Sequence, residues 1–192
     1  MATDHPFISV FSAGKLYELT PTGTDAGSYF GGPHQDHIHD DKLLRYCQLH
    51  HIATLNHARL GIPAVKFGFS ISLFYGLAHE GCVLSYHRTA TAAVQFTHLE
   101  PKKATPNYPY PGYPPILPYY RLGIGRTDQY TKEEIQSRIY NTDWTVRDEC
   151  VYVIVSQHPH LGVCLFDPSD EVEIVFEYDY ENGRVKAANQ CA

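Results

Sequence analysis

Two glutamates spaced two apart are the most chemically suggestive residues of this chain. They are Glu171 and Glu173, in Asp170-Glu-Val-Glu-Ile-Val-Phe176. On a strand, side chains at i and i+2 share a face. The carboxylates would therefore project together while Val172, Ile174 and Phe176 enter a core. Like charges held this close make one group keep its proton longer than a free carboxylate does. Such a pair can serve as acid and base, or stabilise a developing cation. It can equally be the wet face of a strand edge.

A second cluster has metal-ligand types. Pro33-His-Gln-Asp-His-Ile-His-Asp-Asp41 holds His34, His37 and His39 with Asp36, Asp40 and Asp41. On extended backbone His37 and His39 would share a face and could chelate zinc or iron. No HExxH follows, and Asp40 or Asp41 has a simpler use as a helix N-cap. A bound metal is therefore not expected. A third pattern is Ser70-Ile71-Ser72, where a strand would give way to a short helix, with Ser72 as its cap.

The elements that must position these groups read as follows. Residues 7–19 form one or two strands broken at Gly14. Residues 23–33, with Gly31-Gly32, read as a loop that lets backbone approach a ligand. Residues 42–60 read as a helix, because Leu43, Cys47, His50, Thr54 and His57 recur at helical spacing, with Gly61 and Pro63 ending it. Residues 82–98 carry two strands. Thr131-Lys-Glu-Glu134 is a capping box that opens a helix through Tyr140, with Ile135 and Ile139 inward. Residues 151–155, 163–166 and 172–180 read as strands, and Asn182-Gly183 as a hairpin turn into 184–188. The expected fold is α+β: one domain over 1–192, mainly antiparallel sheet, with two or three helices packed on it. Within it, residues 100–120 form an arm with seven prolines and five tyrosines, unsuited to helix or central strand.

Three stretches, in this order, resemble the ADP-ribosyltransferase superfamily of cholera-toxin-like and C3-like toxins. They are Lys15-Leu-Tyr-Glu-Leu-Thr-Pro21, Ser70-Ile-Ser-Leu73 and Glu171-Val-Glu-Ile-Val175. The resemblance implies a toxin or effector that transfers ADP-ribose from NAD to a small-molecule or protein acceptor. Glu173 would stabilise the ribose cation, Glu171 would orient or deprotonate the acceptor, and Ser70 and Ser72 would brace the site. Tyr17 or Tyr75 would stack on nicotinamide. The first motif carries Glu18 where the family carries Arg or His, so Arg121 or Arg126 would have to supply that cation in space.

Composition sets bounds. The 192 residues carry 15 basic and 21 acidic side chains, a net charge of −6. That argues against a nonspecific nucleic-acid binder, which needs a basic surface. No apolar run spans a membrane and no signal peptide is visible. A cytoplasmic protein, or one delivered into a host without such a signal, is expected. The five widely spaced cysteines read as reduced thiols. The 15 tyrosines suit binding faces, so a second reading is an acidic, non-catalytic binding protein of the immunity or inhibitor type.

Overall fold

The computed structural model describes residues 7–21, 24–39, 44, 47–63, 70–79, 81–89, 93–101, 115–140, 144–157 and 172–191. They form one mixed sheet of 12 strands, and among them a single helix. The chain is thus nearly all β, not the expected α+β. In chain order the strands are β1 (Ile8–Ser12), β2 (Lys15–Thr20), β3 (Thr24–Phe30), β4 (His37–Ile38), β5 (His50–Asn56) and β6 (Ser70–Tyr75). After these come β7 (Cys82–Arg88), β8 (Ala93–Pro101), β9 (Tyr120–Gln129), the helix α1 (Lys132–Arg138), β10 (Cys150–Val155), β11 (Val172–Asp179) and β12 (Arg184–Cys191). Across the sheet the order is β4-β8-β7-β12-β11-β10-β1-β2-β9-β3-β5-β6. The pairings are antiparallel except β4 with β8.

Two expected helices are replaced by strand. The helix expected over 42–60 contains β5, which is buried on both faces from His50 to Leu55. A strand covered on both sides shows no polar alternation, so its apolar residues can mimic helical spacing. The strand through Ser70 runs on to Tyr75, so Ser72 is mid-strand and caps nothing. Likewise β3 occupies the expected loop at 23–33, and β9 absorbs Arg121-Leu-Gly-Ile-Gly-Arg126. The strand expected at 163–166, the N-cap at Asp40 or Asp41, and residues 102–114 of the arm lie outside the described residues.

Local signals hold elsewhere. β1 and β2 are joined by Ala13-Gly14, both at positive φ (50° and 73°), the backbone of a two-residue type I′ turn. Thr131 caps α1: its hydroxyl accepts from the Glu134 N–H at 3.2 Å, and Glu134 accepts from the Thr131 N–H at 2.7 Å. β11 and β12 pair from Asp179 opposite Arg184, so the hairpin loop is the four residues 180–183, with Gly183 at φ 65°.

Burial follows strand parity. Val172, Ile174, Phe176 and Tyr178 of β11 enter the main core with Phe7, Phe30, Phe74 and Tyr86. Val175 faces the other way, into a smaller core where Ile135 and Ile139 cover Phe11, Leu16, Tyr152 and Ile154. The sheet also folds over on itself. β6 ends the strand order, yet it lies against β7 and β12 through side chains. Tyr86 Oη donates to the Ser72 carbonyl (2.7 Å) and accepts from the Phe74 N–H (3.2 Å). Tyr75 Oη donates to Asn189 Oδ1 (3.2 Å) and accepts from the Cys82 N–H (3.0 Å). No helix among the described residues is long and apolar enough to cross a membrane.

Candidate functional site

A concave site among the described residues lies where the chain leaves β3. Gly31 and Gly32 both have positive φ (58° and 68°). A Cβ on Gly31 would lie 2.1 Å from the Pro118 carbonyl oxygen, so only glycine lets residues 117–119 pack this closely. Gly31 N–H donates to the Ile52 carbonyl and Gly32 N–H to the Leu117 carbonyl. The turn brings His34 over β5, its ring centroid 5.6 Å from that of His51 and 4.9 Å from that of Phe74, edge-on. His34, His51, Phe74, Ile38, Leu49 and the end of the arm at Pro115 and Ile116 line a cavity of about 180 Å³. His34 Nδ1 is buried there with no hydrogen-bond partner among the described residues.

The proton on His51 can be placed. Nδ1 lies 3.0 and 3.2 Å from the carbonyl oxygens of Gly31 and Gly32, which only accept. Nδ1 therefore carries hydrogen, and Nε2 of the neutral ring accepts from the Thr54 hydroxyl at 2.9 Å. Burial holds the His51 pKa below its ordinary 6.5; the Gly32 carbonyl works against this, and nearby His34 adds to the depression. The ring is neutral at neutral pH.

Polar contacts continue from there into the fold. Thr54 Oγ1 lies 3.5 Å from Ser72 Oγ. The Ser72 hydroxyl donates in a short bond to Asp36 Oδ2. Asp36 pairs with Arg88 at 3.1 Å, and Arg88 Nη1 donates to the Ser70 carbonyl at 2.7 Å. Since the Thr54 proton serves His51 and the Ser72 proton serves Asp36, neither hydroxyl has a hydrogen left for the other. That accounts for the long Thr54–Ser72 contact. Ser70, Ser72, Asp36, Arg88 and Tyr178 line a second cavity of about 20 Å³, room for about one water.

The site residues expected from sequence are dispersed. Ser70 and Ser72 meet Asp36 and Arg88 on the side where Tyr178 points. Glu173 has the parity of Val175 and projects from the opposite face of β11. Its carboxylate accepts from Ser156 Oγ (2.8 Å) and Gln190 Nε2 (2.9 Å), with Arg138 at 3.8 Å. Glu171 lies outside the described residues. Tyr17 and Tyr75 are core residues. The Tyr75 ring is wholly buried and its hydroxyl pKa is raised, chiefly by burial. Arg121 is exposed on β9, 3.8 Å from Asp25, and Arg126 pairs with Asp128 at 2.7 Å. Opposite Arg126 in the β2–β9 register stands Glu18.

A carboxylate pair at i and i+2 does occur further along the same strand. Glu177 and Asp179, both buried, share Arg147 at 3.0 and 3.6 Å; Glu177 also takes Lys186 at 3.0 Å and the Tyr152 hydroxyl at 3.2 Å. Of the histidine cluster, His34 turns into the cavity, while His37 and His39 are exposed with ring centroids 5.7 Å apart. No group of three or more metal-type side chains is gathered among the described residues. Sequence reasoning missed His51 and Arg88. His51 was hidden by the helical reading of 42–60, and Arg88 carried no local signal at all. The chain matches no family model, no curated protein and no solved structure.

Proposed function

We propose that the chain is an acidic binding protein that seats one ring-sized apolar group, carrying a single hydrogen-bonding function, beside His34 and His51. The observation that carries this reading is the cavity of about 180 Å³, walled by Phe74, Ile38, Leu49 and Ile116, with the Nδ1 of His34 buried at its wall and without a hydrogen-bond partner among the described residues. An apolar cavity of about 150 Å³ suffices for a benzene ring. Pockets of this kind combine apolar walls with a few polar groups that fix orientation.

Phenol and benzene are the probes, followed by NMR titration of the full chain. Phenol should saturate and bind about fivefold tighter than benzene, the worth of one ordinary hydrogen bond. His34→Phe should erase that preference, and Leu49→Phe should block both rings. Failure of either ring to saturate, or shifts that map away from these residues, would overturn the reading. The transferase reading makes a different demand. Heat on titration with NAD, lost in Glu173→Gln, would favour it over the cavity.

A further inference from the structure

A pair of buried sulfurs lies outside everything described so far. Cys47 precedes β5, Cys82 opens β7, and both are buried free thiols. Gly76, which follows β6, separates them. A Cβ built on Gly76 would lie 2.7 Å from Cys47 Sγ and 3.2 Å from Cys82 Sγ, so both sulfurs press on one glycine. The two sulfurs therefore lie within about 6 Å of each other. The neighbouring Cys82 thiol holds the Cys47 pKa below the ordinary thiol value, against burial, while Cys47 and burial both raise that of Cys82. Cys47 is therefore the first of the two to ionise, and thiolate character selects the nucleophile.

We propose that Cys47 and Cys82 form a redox pair that closes to an intramolecular disulfide when hydrogen peroxide oxidises Cys47. The Cys47 thiolate attacks the O–O bond, its sulfur is oxidised to a sulfenic acid, and the displaced hydroxide leaves as water. The Cys82 sulfur then attacks the sulfenic sulfur; the S–S bond forms, the S–O bond breaks, and the Cys82 proton departs with the hydroxyl as a second water. One peroxide yields two waters, and a dithiol reductant reverses the bond. The bond would span the side-chain contact between β6 and β7, joining the segment before β5 to the start of β7.

The experiment treats the reduced full-length chain with a small excess of hydrogen peroxide, then alkylates, digests with trypsin without reduction, and maps the products. The expected product joins peptide 46–59, which holds Cys47, to peptide 67–88, which holds Cys82. It should weigh two hydrogens less than their sum and be restored by dithiothreitol. The link should be enriched about tenfold or more over the urea-unfolded chain, where all five cysteines compete. In Cys82→Ser, Cys47 should stop at the sulfenic acid and be captured by dimedone, at several times the wild-type yield. A linkage no more frequent in the folded chain than in urea would overturn the pairing. Cys47 overoxidised without any link to Cys82 would do the same.

Discussion

Changing Glu177 to glutamine removes one negative charge from beneath two cations while nearly keeping the side chain's shape. The Glu177 side chain is 3% exposed, with Arg147 and Lys186 each at 3.0 Å and the Tyr152 hydroxyl at 3.2 Å. At an effective dielectric near 20, each such contact is worth about 5 kcal/mol of gross attraction, much of it offset by desolvating the carboxylate. Breaking a fully buried ion pair costs about 3–5 kcal/mol. Here the cationic side chains are 38% and 39% exposed, so solvent screens part of that. A loss of about 2–4 kcal/mol remains, equivalent to a melting temperature lower by about 5–15 °C for a chain of this size. Urea and thermal unfolding of Glu177→Gln, Arg147→Met and the double variant would measure the coupling. A Glu177→Gln protein within about 0.5 kcal/mol of wild type, or a coupling indistinguishable from zero, would refute this account of the cluster.

Thr131→Ala removes the hydroxyl half of the capping box and should cost about 1 kcal/mol, read as faster amide exchange confined to the first turn of α1. Gly31→Ala places a methyl 2.1 Å from the Pro118 carbonyl at a φ of 58°; crosslinking or amide exchange should report residues 117–119 displaced, with stability lower by about 2–3 kcal/mol. Burial pushes the Asp179 pKa up, but the Asn182 side-chain and backbone N–H groups outweigh it and hold it below 3.8. A carboxylate lowered on folding adds stability above its unfolded pKa and loses it as pH falls through the folded one. Asn182→Ala should therefore be less stable near neutral pH and converge on wild type at strongly acid pH in urea titrations. His51 is lowered on folding, so its contribution is complete above 6.5 and is lost as pH falls below that value; against His51→Phe, which cannot titrate, wild type should lose stability faster through mildly acid pH. His34, Asp36 and Arg88 face the same network and are retained in both proteins.

What could be read from sequence was what short range determines. The Thr131–Glu134 box, the Ala13-Gly14 break and the Asn182-Gly183 turn each need only neighbouring backbone. The alternation of β11 was legible because one of its faces carries Glu173, Glu177 and Asp179 and the other only apolar groups and Tyr178. β5 was not legible, because both its faces are covered and His50, His51 and Thr54 are buried inside a β structure. β3 and β9 carry glycines and charges that argue against strands in isolation, and pairing on both sides overrides that preference. The site itself is non-local. Asp36, Ser72 and Arg88 come from three separate segments, and only the folding-over of the sheet joins them. The motif Glu-Val-Glu at 171–173 suggested a shared catalytic face, but tertiary parity sends Glu173 to the side of α1.

The side-chain ties along β6 have one more consequence. A sheet that does not close has an open flank whose alternate amides and carbonyls can recruit a strand from another molecule. On β6 the carbonyls of Ser70 and Ser72 accept from Arg88 and Tyr86, and the Phe74 N–H donates to Tyr86. The opposite flank is β4, only two residues long. The side chains of Arg88 and Tyr86 thus cover part of the β6 edge while β6 stays docked. The same tyrosine and arginine hold β6 against β7, and loosening them would release the buried, apolar Ile71-Ser-Leu-Phe-Tyr75 as a sticky strand.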